Sequence, residues 1–210
     1  DNTQTIDKIN QVDVGIYAAN DNTEERHSAS DIANNIQIIA DHQENNTLTG
    51  TIQVGAYARK NGDVIVGGKD TESVLIHAVN KCAYLTGSTA EKVNKVETGR
   101  YKLIYGTGMA SGIYTNTTAK YGKATITVNG KKIEILAEAL GQSYGTRASV
   151  NSTIQVGGDV TESVSMIANG SMASTIENKG NVSVKGENIA LQNRNWRQLA
   201  CLLVIMQLQR

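Results

Sequence analysis

Asn61-Gly-Asp-Val-Ile-Val-Gly-Gly-Lys-Asp-Thr-Glu-Ser-Val74 returns further along the chain as Asn151-Ser-Thr-Ile-Gln-Val-Gly-Gly-Asp-Val-Thr-Glu-Ser-Val164. Both copies place Val-Gly-Gly and Thr-Glu-Ser-Val at the same positions, so the repeat combines strand residues with turn residues. Self-similarity of this kind is typical of solenoid and other repeat proteins. We expect the two Val-Gly-Gly turns to occupy equivalent corners several rungs apart, a rung being one turn of the solenoid. At least one glycine of each pair should have a positive φ.

A shorter pattern of alternating apolar residues runs through the chain on both sides of these copies. Alternation with period two is typical of strands with one buried face. Such segments begin at short, fairly even intervals, near Val14, Ile36, Ile52, Val74, Val93, Ile113, Ile133, Ile154 and Ile176. Turn-forming Asn and Gly separate them. The sequence therefore predicts an all-β fold, a single-stranded parallel β-helix (β-solenoid) with rungs of roughly 20 residues.

This register predicts which side chains form the core. The inward set is Ile36, Ile38, Ile52, Val54, Val74, Ile76, Ile133, Ile135, Ile154, Val156, Val164, Val182 and Val184. The intervening polar residues, expected to be exposed, are Gln37, Gln53, Glu134, Gln155 and Ser183.

Two rival folds are compatible with short strands: an antiparallel sandwich or barrel, and a mixed α+β domain. Asn129-Gly130, between two alternating segments, would suit a hairpin turn. The repeat favours the solenoid, and so does the composition. The chain has no Phe, one Trp and no Pro, whereas sandwich cores usually contain large aromatic residues.

Two segments depart from the strand pattern. Ser88-Thr-Ala-Glu91 resembles a capping box, which predicts a possible short helix over 88–98. The amino-acid composition changes at residue 193, and an apolar run, 199–206, follows Trp196. We therefore divide the chain into a solenoid segment, 1–192, and an atypical apolar tail, 193–210. The tail is either a cap on the last rung or sequence foreign to the fold, and the abruptness of the change favours the second.

Composition and charge constrain the function. With 20 basic and 20 acidic residues the formal net charge is zero, so no basic stripe for nucleic-acid binding is expected. No apolar run reaches the ~18 residues that a membrane span needs. Cys82 and Cys201 show no metal-ligand spacing, and whether they pair depends on the fold.

Residues 156–165, together with Ser174–Gly186 and Glu187–Leu191, resemble the passenger domains of Gram-negative autotransporters and related β-helical surface adhesins. The resemblance covers most of residues 1–192 and is one of repeat style. It implies a fragment of a longer exported protein, displayed at the cell surface and attached to the outer membrane through another domain. It also implies that the partner is a host or neighbouring cell-surface protein or glycan.

Neither the residues nor the resemblance predicts a catalytic, cofactor-binding or metal-binding site. Gly106-Thr-Gly-Met-Ala-Ser-Gly112 is followed by strand-like residues, whereas a dinucleotide-binding turn must open a helix. The segments 67–72 and 157–162 lack the third glycine and the tandem repetition of calcium-binding solenoid repeats. His27, His42 and His77 have no triad or metal-ligand spacing, and His77 is expected on an outward face.

The function expected from this reading is a non-enzymatic β-helical stalk or adhesin segment that mediates surface contact. The alternative is a carbohydrate-active parallel β-helix enzyme, a polysaccharide lyase or hydrolase. Such an enzyme needs carboxylates and a base on neighbouring rungs. Its candidate residues would be Asp63, Asp70, Glu72 and Arg100.

Overall fold

The structure is a computed structural model that describes residues 12–19, 26–42, 52–80, 83–84, 105–106, 109–118, 120 and 122–195. Within these residues the chain forms three five-stranded sheets, in which every pair of neighbouring strands is parallel. Each rung contributes one strand to each sheet. The prediction of an all-β parallel solenoid is therefore confirmed, and the antiparallel sandwich or barrel is wrong.

Five rungs are stacked in chain order. Rung 1 comprises β1 (Val12–Ala19), β2 (His27–Asp31) and β3 (Asn35–His42). Rung 2 comprises β4 (Ile52–Arg59), β5 (Gly62–Val66) and β6 (Ser73–Asn80). A two-stranded antiparallel pair, β7 (Ala83–Tyr84) and β8 (Tyr105–Gly106), follows.

Rung 3 comprises β9 (Met109–Asn116), β10 (Ala124–Val128) and β11 (Lys132–Ala139). Rung 4 comprises β12 (Gln142–Ala148), β13 (Ser152–Val156) and β14 (Ser163–Gly170). Rung 5 comprises β15 (Met172–Asn178), β16 (Asn181–Val184) and β17 (Asn188–Asn195). We call the sheets A, B and C, after the first, second and third strand of each rung.

The rungs are longer than the sequence pattern predicted. One full turn separates Ser163 from its stacked partner Asn188, and a much longer turn, which includes β7 and β8, separates Asp63 from Thr125. The shorter sequence period was real, but it ran between strands of different sheets. Because each rung holds three strands, more than one such step is needed to complete a turn.

The long repeat that pairs Asn61–Val74 with Asn151–Val164 spans two rungs and reflects an alternation in corner length. The corner between sheets B and C has six residues in rungs 2 and 4 (67–72 and 157–162). It has three residues in rungs 1, 3 and 5 (32–34, 129–131 and 185–187). The two Val-Gly-Gly turns therefore occupy equivalent corners, two rungs apart. Gly67 has φ 72° and Gly157 has φ 79°, as predicted.

One threonine closes each long corner. The Thr161 hydroxyl accepts a hydrogen bond from the Gly158 N–H (2.9 Å) and donates one to the Gly130 carbonyl of the preceding rung (2.8 Å). Thr71 makes the same two bonds, to Gly68 and to Ala33. Because these hydroxyls are buried and satisfy backbone groups on two rungs, they explain why Thr-Glu-Ser-Val returns with Val-Gly-Gly.

The core consists of apolar columns that run across the rungs. Ile38, Ile76, Ile135, Met166 and Leu191 are stacked partners in sheet C. The first four are no more than 6% exposed, whereas Leu191, on the last described strand, is 44% exposed. Every member of the predicted inward set is buried or half-buried.

Sheet A approaches sheet C closely because its strands carry a glycine column at positions 15, 55, 112 and 145. A Cβ on Gly112 would overlap Cγ2 of Ile135 and would lie 2.9 Å from the Gly145 carbonyl oxygen. The φ angles of these glycines are not in the left-handed region, so the requirement for glycine here is one of space.

The predicted exposed set is wrong at one residue. Gln37, Glu134, Gln155 and Ser183 are exposed, but Gln53 is fully buried. Its neighbour Val54 is fully buried too, so β4 is covered on both faces at this point. The Gln53 Nε2 donates to the Asp13 carboxylate (2.6 Å), which partly satisfies the buried amide.

Other predictions lie outside the described residues. These include the possible helix at 88–98 and the two cysteines, Cys82 and Cys201. Strand β17 continues to Asn195, so the last rung includes the start of the predicted tail, and residues 196–210 are outside the described part of the chain.

Candidate interaction surfaces

The three sheets present three outward faces of different chemistry. Because side chains alternate along a strand, the neighbours of core residues point away from the core. On sheet B these outward positions are mostly hydroxyl and amide residues: Ser28, Ser30, Asp63, Ile65, Thr125, Thr127, Thr153, Gln155, Asn181 and Ser183. Such a face is fully compatible with water and needs no partner.

The outward face of sheet A carries a tyrosine column. Tyr17, Tyr57 and Tyr114 are stacked partners on successive rungs, and each lies next to a residue that points inward. The ring centroids are 5.3 Å apart between Tyr17 and Tyr57 and 5.2 Å apart between Tyr57 and Tyr114. The planes of the second pair are nearly parallel, with an interplanar angle of 11°.

An arginine continues the column in rung 4. The Arg147 guanidinium lies 5.3 Å from the centroid of the Tyr114 ring and 4.8 Å from that of Tyr144. Its Nε is 3.4 Å from the Glu177 carboxylate, which holds the same position in rung 5. The four tyrosines whose side chains are described thus all belong to sheet A.

The tyrosine column can stabilise the solenoid but has little ring surface to offer to a ligand. Within the column, each ring face that points toward a neighbouring tyrosine or toward Arg147 is covered by that ring or by the guanidinium. Tyr57 is only 8% exposed. Aromatic and cation–π contacts of this kind contribute about 0.5–1.5 kcal/mol each. We therefore treat the column as a structural ladder between rungs.

The ladder should make the fold sensitive to alkali. Burial raises the pKa of Tyr57 to about 12, above its ordinary value of 10.0. The folded state therefore favours the neutral phenol, and the resulting stability is complete below pH 10 and lost as the pH rises through 12. The free energy of unfolding should fall by about 2–3 kcal/mol over this window. Denaturant titrations at successive pH values measure it.

The matched control is Tyr57→Phe, which keeps the ring and removes the ionisable hydroxyl. This variant should show a shallower alkaline loss of stability than the wild type. Tyr114 and Tyr144, whose pKa values burial also raises, would account for the remainder. An equally steep loss in the Phe variant would contradict the assignment to Tyr57.

The outward face of sheet C differs from both. Its central column consists of Ile39, His77, Leu136 and Ile167, stacked across rungs 1 to 4, and Leu75 lies one column aside. Ile39 is 54% exposed and the others are half-buried. We call these five residues the apolar stripe. Contiguous apolar residues on an outward face with a polar rim mark interaction sites more often than isolated ones do.

Carboxylates border the apolar stripe. Glu134 and Glu138 lie on β11 two positions to either side of Leu136, on the same face. The Glu138 carboxylate is 3.5 Å from Nε2 of His77, the stripe's polar member. His77 is thus placed outward, as expected, although half-buried. Nothing in the sequence pattern distinguished this face, because the four members of its central column come from different rungs and lie far from one another along the chain.

The described candidate residues of the enzyme alternative lie at two separate places. Asp63 lies on sheet B, hydrogen-bonded to the Thr125 hydroxyl and 3.7 Å from Arg26. Glu72 lies at the long corner of rung 2, paired with Lys131, and Asp70 is at the same corner. Arg100 is outside the described residues. Asp70 and Glu72 thus lie close to a base, Lys131, at the corner, whereas Asp63 lies apart from them on sheet B.

The remaining motifs of the sequence take structural positions. Gly112 of the glycine-rich segment lies in strand β9, and the segments 67–72 and 157–162 are corners. His27 is exposed on β2, and His42 ends β3. Across the described ranges, no three His, Cys, Asp or Glu side chains are grouped closely enough to hold a metal ion.

The part of the chain that the structure describes contains no helix of the length and apolarity that a membrane crossing requires. A scan against protein-family models gives no match, and searches of curated proteins and of solved structures find no relative and no structural neighbour.

Proposed function

We propose that this chain is a non-enzymatic segment of a Gram-negative cell-surface adhesin or stalk, of the autotransporter passenger type, and that it acts by contact with a host or neighbouring cell surface. The observation that carries the proposal is the apolar stripe on the outward face of sheet C. A segment that served only as a spacer would need polar outward faces throughout, of the kind that sheet B has. An apolar outward column fits a surface that meets a partner.

The solenoid architecture supports the same proposal. Stacked rungs give extended, flat faces on which contacts can be distributed along several strands. The residues of the apolar stripe stand on the four strands of sheet C whose inward neighbours are buried, so their positions are fixed by the core. A rigid face of this kind limits the entropy lost when a partner binds.

Retention of coated beads tests the proposal. Latex beads bearing the purified chain are applied under flow to epithelial monolayers and to layers of Gram-negative cells. Beads coated with serum albumin serve as the control. We expect the chain to raise retention on at least one surface by about ten-fold, the effect of about 1.4 kcal/mol of binding free energy. Retention equal to that of albumin beads on every surface would contradict an adhesive function.

A further inference from the structure

We infer that the outward face of sheet C, where the apolar stripe crosses β11, docks an extended protein segment in which basic and apolar side chains alternate. This inference rests on the proposed function and names the chemistry of its partner. The stripe spans four rungs, and neighbouring strands in a sheet are about 4.8 Å apart. Its column of side chains therefore runs for roughly 14 Å across the sheet.

The charges around the stripe define the polar part of the partner. On β11 the outward residues read Glu134, Leu136 and Glu138, so an apolar side chain lies between two carboxylates. Asp41 adds an exposed carboxylate on β3, on the same face as Ile39. Lys132, at the start of β11, is the base that lies nearest along the strand. The charged residues in the two columns that flank the stripe in rungs 1 to 4 are thus all acidic, which favours cationic side chains opposite them.

The same charges argue against a second copy as the occupant. Two arrangements set Leu136 of one copy on Leu136 of the other with their strands aligned, one with the two-fold axis along the strands and one with the axis along the stack of rungs. The first arrangement sets Glu134 against Glu134 and Glu138 against Glu138. The second sets Glu134 against Glu138, twice. Like charges facing each other in an interface cost several kcal/mol, so the stripe disfavours self-association.

The spacing of the three β11 side chains defines the conformation of the partner. Residues two apart on a strand are about 6.6–6.8 Å apart, and this spacing is the same in any extended chain. A segment of the pattern Lys-x-Leu-x-Lys aligned with β11 would place its bases opposite Glu134 and Glu138. It would cross the column of the stripe at right angles and set its leucine on Leu136. A helix presents neighbouring side chains of one face at a different spacing and would match fewer of these positions.

Fluorescence anisotropy with a synthetic peptide tests the inference. The probe is fluorescein-labelled Lys-Thr-Leu-Thr-Lys-Thr-Leu-Thr-Lys, and the control probe carries Glu in place of each Lys. The full chain is titrated into each at low and at physiological salt. We expect saturable binding of the basic probe alone, weakening as salt rises because the rim charges are accessible to solvent.

Matched variants locate the site. Glu134→Gln with Glu138→Gln should raise the Kd for the basic probe at least ten-fold, or about 1.4 kcal/mol. Leu136→Ser should have a similar effect. Asp159→Asn with Glu162→Gln removes two exposed carboxylates from a corner and should leave the Kd within two-fold. Circular dichroism of each variant checks that the β-sheet content is unchanged.

Three outcomes would overturn the inference. They are absence of saturable binding, equal weakening by the sheet C pair and the corner pair, and sedimentation that shows the chain itself dimerising through a Leu136-dependent contact. The bead experiment fails independently of these. Peptide binding without bead retention would contradict the adhesive function but leave the docking inference intact. Bead retention without peptide binding would contradict the docking inference and indicate that another face is adhesive.

Discussion

Replacing Gly112 with valine is expected to destabilise the solenoid by about 3 kcal/mol or more, a large fraction of the roughly 5–15 kcal/mol by which folded domains are usually stable. A Cβ at this position would meet Ile135, which is fully buried, and the backbone of Gly145. Neither group can move easily, because one belongs to the stacked core and the other to the next rung. Thermal and denaturant unfolding, followed by far-ultraviolet circular dichroism, measure the loss.

The matched control is Gly68→Ala. Gly68 lies at the long corner of rung 2, its φ is not in the left-handed region, and the nearest atom to an added Cβ is Cγ2 of Ile32 at 3.9 Å. This substitution should change stability by no more than about 0.5 kcal/mol. If both variants were equally stable, the close approach of sheets A and C would not be a feature of the protein.

Truncating Ile135 to alanine should cost about 2–5 kcal/mol, because the side chain is fully buried between Ile76 and Met166 and the stacked rungs cannot collapse into the cavity. Its neighbour Leu136 provides the control. Leu136→Ala alters the same strand by a similar volume, but on the outward, half-buried side, and should cost less than about 1 kcal/mol. Equal losses for the two variants would mean that the strand is out of register with the assigned faces.

The parts of the fold that depend on local sequence pattern could be predicted from the sequence. Alternation along each segment identified the inward columns, and the residues that accept a positive φ identified the corner glycines Gly67 and Gly157. The repeat also reflects the alternation of long and short corners between rungs, since its two copies contain the two long corners. It could not show that three strands complete a rung, because the length of a turn depends on which strands pair.

What the sequence could not reveal depends on neighbours in other rungs. The alternation predicts that Gln53 faces solvent, but its strand is covered on both sides, a tertiary effect that alternation cannot register. The tyrosine column and the apolar stripe are not visible in the sequence for a related reason. Tyr57 and Tyr114 are stacked partners, yet the whole insertion that carries β7 and β8 lies between them in the chain. Because insertions of unequal length separate the rungs, no fixed period links the members of a column.

The parallel pairing of the rungs also has a mechanical consequence. Hydrogen bonds between strands of a parallel sheet run from one strand to the next, and in a solenoid this direction is the axis along which the rungs stack. Tension applied along that axis therefore acts at once on the hydrogen bonds of all three sheets between any two rungs. Under increasing force the rungs should yield one at a time, each releasing a length of chain, and the protein would dissipate a pull in steps where a globular domain would give way in a single event.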